Sequence, residues 1–189
     1  VFFSFSYSQN LTVESGGTLT IEKTGAVTVS GNFSNSGTVT MNSDADEFSS
    51  IKISGTTSGN VTYNRFVNYA ASGEWDLIGS PVDGLSISSF VDTNTSSPAT
   101  LATNGSAYAV GYYDNSTDTW TNYTTGTVGG AGNFDIGKGY QMGTVSGGTQ
   151  ILAFTGTISS SDETQSIINN NAANSGSGRR WNLVANPYP

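Results

Sequence analysis

Short triplets of the form apolar-polar-apolar recur through the first third of the chain. Each one predicts a short strand with two side chains on one face and one on the other. The segments SGG, KTG, NSG and TSG lie between them, and glycine allows the backbone to turn sharply there. The pattern predicts an internal repeat of strand and turn over residues 10–64. The triplets are LTV (11–13), LTI (19–21), VTV (27–29), VTM (39–41), IKI (51–53) and VTY (61–63).

Two arrangements fit this repeat. In a β-solenoid the strands stack along an axis, whereas in an antiparallel meander the glycine segments close hairpins. The triplets are unequally spaced, which favours the solenoid, because coil corners tolerate insertions that would shift the register of a hairpin. The solenoid places eight apolar side chains inside: Leu11, Val13, Leu19, Ile21, Val27, Val29, Val39 and Met41.

The middle residue of each of the first four triplets is a threonine that a solenoid would place on its outer surface. Regularly spaced hydroxyls could bind ice or a glycan. Threonine also suits exposed β positions without any ligand, because its branched side chain packs well on the pleat. These threonines are Thr12, Thr20, Thr28 and Thr40.

Beyond residue 64 the apolar segments lengthen and aromatic residues become frequent. Only residues 162–170 show a weak helical pattern. A β-sandwich or jelly-roll-like module is therefore expected over residues 65–180. The predicted fold is all-β, with a short N-terminal β-solenoid-like repeat followed by this module. The strand candidates are 75–79, 106–113, 119–124, 139–145 and 150–157.

The composition is typical of a secreted β protein. Only 35% of the residues are hydrophobic and 11% are charged, so solubility must come from serine, threonine, asparagine and glycine. A net charge of −8 repels nucleic acid and anionic membranes, and we expect no nucleic-acid partner. No apolar run reaches the roughly 18 residues of a membrane span, so we expect the chain to have no membrane-spanning segment.

The first nine residues, VFFSFSYSQ, have the pattern of the end of a signal peptide, an apolar segment followed by small and polar residues. The alternative is a strand, since Phe3, Phe5 and Tyr7 alternate with serines at period two. We predict a signal-peptide remnant at residues 1–9, and hence a secreted or cell-surface protein.

The chain contains neither cysteine nor histidine. A Ser-His-Asp triad, a Cys-His pair and a histidine-containing zinc site therefore cannot be built from this chain alone. Glycosidase chemistry would need two facing carboxylates, and Glu74 and Asp76 alternate around Trp75 on one predicted strand. Because both acids are expected to face solvent while Trp75 fills the core, we predict that the protein is not an enzyme.

Two acidic loops are candidates for calcium binding, the only cofactor that the sequence suggests. NSDADEF contains Asp44, Asp46 and Glu47, and the turn DNSTD contains Asp114 and Asp118. Calcium accepts several carboxylate and carbonyl oxygens at once, which suits flexible loops of this kind. Ordinary turns capped by aspartate side chains would account for the same residues without an ion.

Four aromatic residues around this turn are candidates for stacking on sugar rings. The stretch AYAVGYYDNSTDTWTNY predicts a strand, a turn and a return strand. A ring can stack on a sugar only if it is exposed, so the exposure of Trp120 decides whether this hypothesis is open. The candidates are Tyr112, Tyr113, Trp120 and Tyr123.

Several segments resemble the repeated β modules of large secreted and cell-surface proteins of Bacteroidetes, especially flavobacteria. They are WDLIGSPVDG, YYDNSTDTW, GKGYQM, ILAFTGTI and WNLVANPYP, and the resemblance covers most of residues 11–189. It implies type IX secretion and a structural or adhesin-like module of a larger protein. The alternative is a carbohydrate-binding accessory region of an extracellular polysaccharide-acting protein. The implied partners are surface glycans or other cell-surface components.

Two phrases in the chain nearly repeat each other, WDLIGSP at 75–81 and WNLVANP at 181–187. In the family that the chain resembles, such a phrase recurs where a β unit begins. We therefore expect Trp75 and Trp181 to be largely buried at the starts of strands. Residues 181–189 would then begin a second, truncated unit.

Overall fold

The computed structural model describes residues 9–169 and 181–189. Apart from Gln9, the predicted signal-peptide remnant lies outside these residues. The first eight strands are β1 (Leu11–Val13), β2 (Thr18–Ile21), β3 (Ala26–Val29), β4 (Phe33–Asn35), β5 (Thr38–Asn42), β6 (Ser50–Ile53), β7 (Thr57–Ser58) and β8 (Val61–Phe66). The remaining elements are β9 (Asp76–Ile78), α1 (Ile87–Thr95), β10 (Thr103–Asn104), β11 (Ala107–Asp114), β12 (Thr119–Thr124), β13 (Tyr140–Met142) and β14 (Ile151–Gly156).

Strands β1 to β8 pair in parallel, and each of β1 to β5 pairs with the strand three places further along the chain. One sheet has the order β1-β4-β7, a second contains β2, β5 and β8 side by side, and a third pairs β3 with β6. Their registers place Leu11 beside Phe33, Thr20 beside Thr40, and Ala26 beside Ser50. Consecutive strands in this part do not pair with each other, so the pairing is not that of a hairpin meander.

The side chains of these strands alternate between the core and the surface, as the triplets predict. Five of the eight predicted inward side chains are buried, and Leu11, Leu19 and Val27 are partly buried against the same core. Thr12, Thr20 and Thr28 are exposed, and Thr40 is partly covered. The buried five are Val13, Ile21, Val29, Val39 and Met41.

The second part of the chain is dominated by antiparallel pairing. Strand β11 pairs with β10, β12 and β13, and β13 also pairs with β9. Strand β14 pairs antiparallel with β8 and so joins the sheet that contains β5 and β2. The predicted boundary between residues 64 and 65 lies inside β8, and buried residues from both parts form one hydrophobic cluster. The all-β prediction is confirmed at the level of fold class.

A nine-residue helix, α1, was not expected from the sequence. Its buried side chains are Ile87, Phe90, Val91 and Asn94, a spacing of three and four residues that places them on one face. The Ser86 hydroxyl accepts a hydrogen bond from the Ser89 amide at 3.0 Å and caps the helix N-terminus. The helix is short, and its serines, threonines and asparagine have weak helix propensity, which hides it in the sequence. The weak helical candidate is wrong, since residues 162–169 contain no helix.

Helix α1 is held against β14 by a buried side chain. Asn94, which is 3% exposed, donates to the Ala153 carbonyl at 3.0 Å and accepts from the Ala153 amide at 2.8 Å. Phe90 packs beside Phe154, with ring centroids 4.7 Å apart. The helix therefore covers the core at the strand where the two parts of the chain meet.

Candidate binding surfaces

The four aromatic candidates lie on two different faces of the β11–β12 hairpin. Tyr113 is in register with Trp120, and their ring centroids are 5.4 Å apart. Tyr112 and Tyr123 form a second pair at 5.6 Å. Successive side chains of a strand point to opposite faces, so Tyr112 and Tyr113 belong to different ring pairs. The structure thus brings the predicted residues together as two pairs rather than as one platform.

The outer pair borders a groove of about 390 Å³, which we call the Trp120 groove. Trp120 is 43% exposed, so the ring remains open to a ligand. The Tyr113 hydroxyl donates to the Asp118 carboxylate, and this hydrogen bond is the main reason that the pKa of Tyr113 rises to about 12. The groove is lined by Leu77, Tyr113, Asp118, Trp120, Trp181, Asn182 and Leu183.

The inner pair is less available. Tyr112 and Tyr123 pack against the hydrophobic core, and burial is the main cause that raises the pKa of Tyr123. The Lys138 ammonium lies 5.4 Å from the Tyr112 ring centroid, within the range of a cation–π contact. These two rings therefore have packing roles that do not require a sugar.

The two repeated phrases occupy different environments. Trp75 directly precedes β9 and is partly buried against the core, less completely than predicted. The prediction that Trp181 is buried is wrong, since its side chain is 68% exposed. Residues 181–189 form no strand beyond a single bridge between Val184 and Lys138, so no second sheet layer covers the ring.

Both phrases nevertheless contact the same stretch, GKGYQM at 137–142. Ile78 pairs with Tyr140 in the sheet, whereas the Leu183 carbonyl accepts from the Gly139 amide at 2.9 Å. The Asn115 amide group donates to the Trp181 carbonyl at 2.6 Å and ties this segment to the DNSTD turn. This contact brings Trp181 beside Trp120 in one groove.

In the first acidic loop, the Asp44 carboxylate is already bound by backbone amides and a lysine. It accepts hydrogen bonds from the amides of Asp46 and Glu47 at 3.0 and 2.9 Å. It also pairs with the Lys23 ammonium, which lies 3.4 Å from the Glu47 carboxylate. The hydrogen bond from Lys23 is the main cause that lowers the pKa of Asp44, and the two amides add to it.

The second acidic loop has the same character. Asp114 accepts from the hydroxyl and the amide of Ser116 at 2.6 and 2.8 Å, and these bonds lower its pKa. Asp118 is bonded to Tyr113 and adopts a φ of 61°. Among the described residues, no group of three or more acidic side chains is arranged to hold a metal ion. The calcium site stays a prediction, and the geometry is that of aspartate-capped turns.

The carboxylate beside Trp75 also has a structural partner. Asp76 accepts hydrogen bonds from the backbone amide and the side-chain amide of Asn68, at 2.9 and 2.8 Å. These bonds fix the loop that leads into β9. Both carboxylate oxygens are therefore engaged by Asn68.

Sequence reasoning did not single out Arg65, which lines a second cleft, beside β6, β8 and β9. Leu77 is the one residue that lines both this cleft and the Trp120 groove. Basic residues are rare in this chain, which has six of them, and Arg65 lies in a strand two residues after the buried Tyr63. This combination is the sequence signal that could have identified it. A charge at such a position needs a partner.

These features define an all-β protein with an exposed, aromatic-lined groove. Within the described residues, no helix has the length and apolarity needed to cross a bilayer. A family model, described as a domain of unknown function (DUF8693), matches residues 4–189, so the chain belongs to this family. Searches for similarity found no matching curated protein and no matching solved structure.

Proposed function

We propose that the chain is a non-catalytic structural or adhesive module of a larger secreted or cell-surface bacterial protein. The observation that carries this proposal is the parallel pairing of each of β1 to β5 with the third strand after it. Such pairing supports a solenoid-like stack over residues 10–64 that continues into the sandwich-like part through β14. A stack of this kind is a rigid spacer that presents flat faces. The composition and the resemblance to Bacteroidetes surface modules support export, and the resemblance alone suggests the type IX route.

One of these faces carries threonines in register across four strands. Thr20 lies beside Thr40, Thr40 beside Thr62, and Thr62 beside Thr155. The hydroxyls of Thr62 and Thr155 are 2.9 Å apart. Neighbouring strands are about 4.8 Å apart, so the row is a regular polar surface suited to contact with an extended polymer.

Bead adhesion tests the proposal. Beads coated with the chain should be retained under flow on surfaces coated with cell-surface polysaccharide, and albumin-coated beads should not. The variant with Thr20, Thr40 and Thr62 all replaced by alanine should be retained less if adhesion occurs through this face. It should be retained equally if adhesion occurs through other surfaces. Equal retention of the two kinds of bead would contradict an adhesive role, and release of reducing ends from the polysaccharide would contradict a non-catalytic one.

A second candidate function is carbohydrate binding by an accessory region of a polysaccharide-acting protein. The exposure of Trp120 beside Tyr113 favours it, because stacking on a sugar requires an accessible ring. Trp120→Ala should abolish binding on a polysaccharide array. Tyr123→Phe, a change in the inner pair, is the matched control and should leave binding intact. Equal binding by wild type and Trp120→Ala would remove this candidate.

A further inference from the structure

A cleft of about 540 Å³ has in its wall a guanidinium that forms no ion pair among the described residues. It lies beside β6, β8 and β9 and is closed on one side by residues 184–189. Its wall contains Phe48, Ser49, Tyr63, Arg65, Leu77 and Tyr188. A cleft of this size suits a ligand of one or two sugar rings.

The guanidinium is that of Arg65. Its Nη1 is buried without a hydrogen-bond partner, and no ion pair among the described residues includes it. Burial lowers the pKa of Arg65. The guanidinium lies over the Phe48 ring, with Cζ 4.1 Å from the centroid, so the stack fixes its plane. Lys23 and Lys138, by contrast, are each paired with an acid.

A second buried polar group lines the same cleft. Ser49 is 1% exposed, and its hydroxyl has no hydrogen-bond partner. Its carbonyl accepts from the Tyr63 hydroxyl at 3.2 Å, which holds the Ser49 backbone in place. Among the described residues, three buried side-chain atoms lack partners, and two of them belong to Ser49 and Arg65. Unpaired buried polar groups are costly, so their coincidence in one wall points to a ligand.

We propose that this cleft binds the carboxylate of an acidic sugar, a hexuronate unit of a polysaccharide, through Arg65. The planar guanidinium matches a carboxylate in shape and charge, and such pairs form strong charge-assisted hydrogen bonds. The Ser49 hydroxyl, buried in the same wall, would be a further donor if a small movement of the wall exposed it to the carboxylate. A ligand carboxylate would replace the hydration that the guanidinium loses on burial.

A sugar suits the remaining wall better than a densely charged polyanion does. Phe48 is 44% exposed and Tyr188 36% exposed, which leaves ring surface that Arg65 does not cover open to the C–H face of a pyranose. The net charge of −8 opposes nucleic acid and other dense polyanions, but costs less for one isolated carboxylate. This inference goes beyond the proposed adhesive module and does not depend on it, since the threonine face and Trp120 lie outside the cleft.

Titration with trigalacturonate and with its fully methyl-esterified form, followed by two-dimensional NMR, tests the site. The two probes have the same sugar chain, and esterification removes the negative charge of its carboxylates. Wild type should bind the acid at least about tenfold more tightly than the ester, as expected for hydrogen bonds between charged groups. Arg65→Met should lose this preference, and Arg65→Lys should keep part of it because the charge remains and the planar fork is lost. Ser49→Ala should weaken acid binding less than Arg65→Met does.

Two controls keep the test decisive. Arg65→Met should unfold at the same temperature as wild type or higher, because it removes a partly buried charge that forms no ion pair among the described residues. Trp120→Ala should keep the preference for the acid even if it abolishes binding to neutral polysaccharides, so failure of the carbohydrate candidate and failure of this site are distinguishable. Equal binding of acid and ester by wild type, or an unchanged preference in Arg65→Met, would overturn the proposal. Arg65-dependent binding of a glutamate-rich peptide without binding of trigalacturonate would overturn the assignment to a sugar.

Discussion

The parallel part of the molecule, β1 to β8, and the antiparallel part, β9 to β14, are built on different principles. In the parallel part, contacts follow a rule that repeats along the chain, because each of β1 to β5 pairs with the third strand after it. In the antiparallel part, distant segments meet without a repeat, as when Lys138 pairs with Val184. Regular alternation therefore predicts the first part well. The Trp120 groove instead forms between the second part and the C-terminal segment, and the cleft at Arg65 forms where both meet the first part.

The largest expected effects come from core residues that test whether the two parts unfold together. Met41 in β5 and Phe154 in β14 are both 0% exposed. We expect Met41→Ala and Phe154→Ala each to lower the free energy of unfolding by about 2–5 kcal/mol. Because both belong to one hydrophobic cluster, each should shift a single transition in urea unfolding monitored by fluorescence and circular dichroism.

Thr155→Ala is the matched surface control for Phe154→Ala and should cost less than about 1 kcal/mol. Two separate transitions, one affected by each core substitution, would show that the parts are independent domains. That outcome would restore a boundary near residue 64.

The two tryptophans of the repeated phrases should differ clearly. Trp75→Ala removes a partly buried ring that packs on the core and should cost about 3 kcal/mol. Trp181→Ala removes a ring that is 68% exposed and should cost less than about 1 kcal/mol. Chemical denaturation of both variants measures the difference. Equal losses would mean that the two phrases have the same structural role after all.

These tryptophans also show how far the sequence alone predicts the structure. The triplet rule identifies β1 to β3, β5, β6 and β8, because strict alternation is a local signal. It misses β4, whose FSN has one apolar residue, and α1, whose helical face uses Asn94 as a core residue. It also misplaces Trp181, because burial depends on a covering layer that no local pattern reports. Arg65 is missed for the same reason, because whether its guanidinium finds an ion-pair partner depends on the tertiary structure.

A smaller effect is expected from the first acidic loop, and it should depend on pH. The folded-state pKa of Asp44 is lowered, so its contribution to stability is present above the unfolded pKa of about 3.9 and is lost as pH falls through the folded pKa. Asp44→Asn should therefore be less stable than wild type at pH 7 and equally stable at low pH. Urea midpoints at several pH values test this, and a loss that does not change with pH would contradict it.

Calcium should have the smallest effect on the stability of the fold. The carboxylates of Asp44, Asp114 and Asp118 already accept hydrogen bonds from protein donors, so an ion would have to displace those donors. We expect millimolar calcium to leave the melting temperature unchanged, since only a ligand that binds the folded state raises it. A rise that Asp114→Asn with Asp118→Asn abolishes would instead establish the calcium site predicted from the sequence.

The most direct test of the account is the pairing of strands in the repeated part. Nuclear Overhauser contacts in the labelled chain should place the backbone of Thr20 beside Thr40 and that of Thr40 beside Thr62, in parallel register. Contacts that instead join β2 to β1 or β3 in antiparallel register would mean a hairpin meander. That result would contradict the stacked, rigid module on which the proposed function rests.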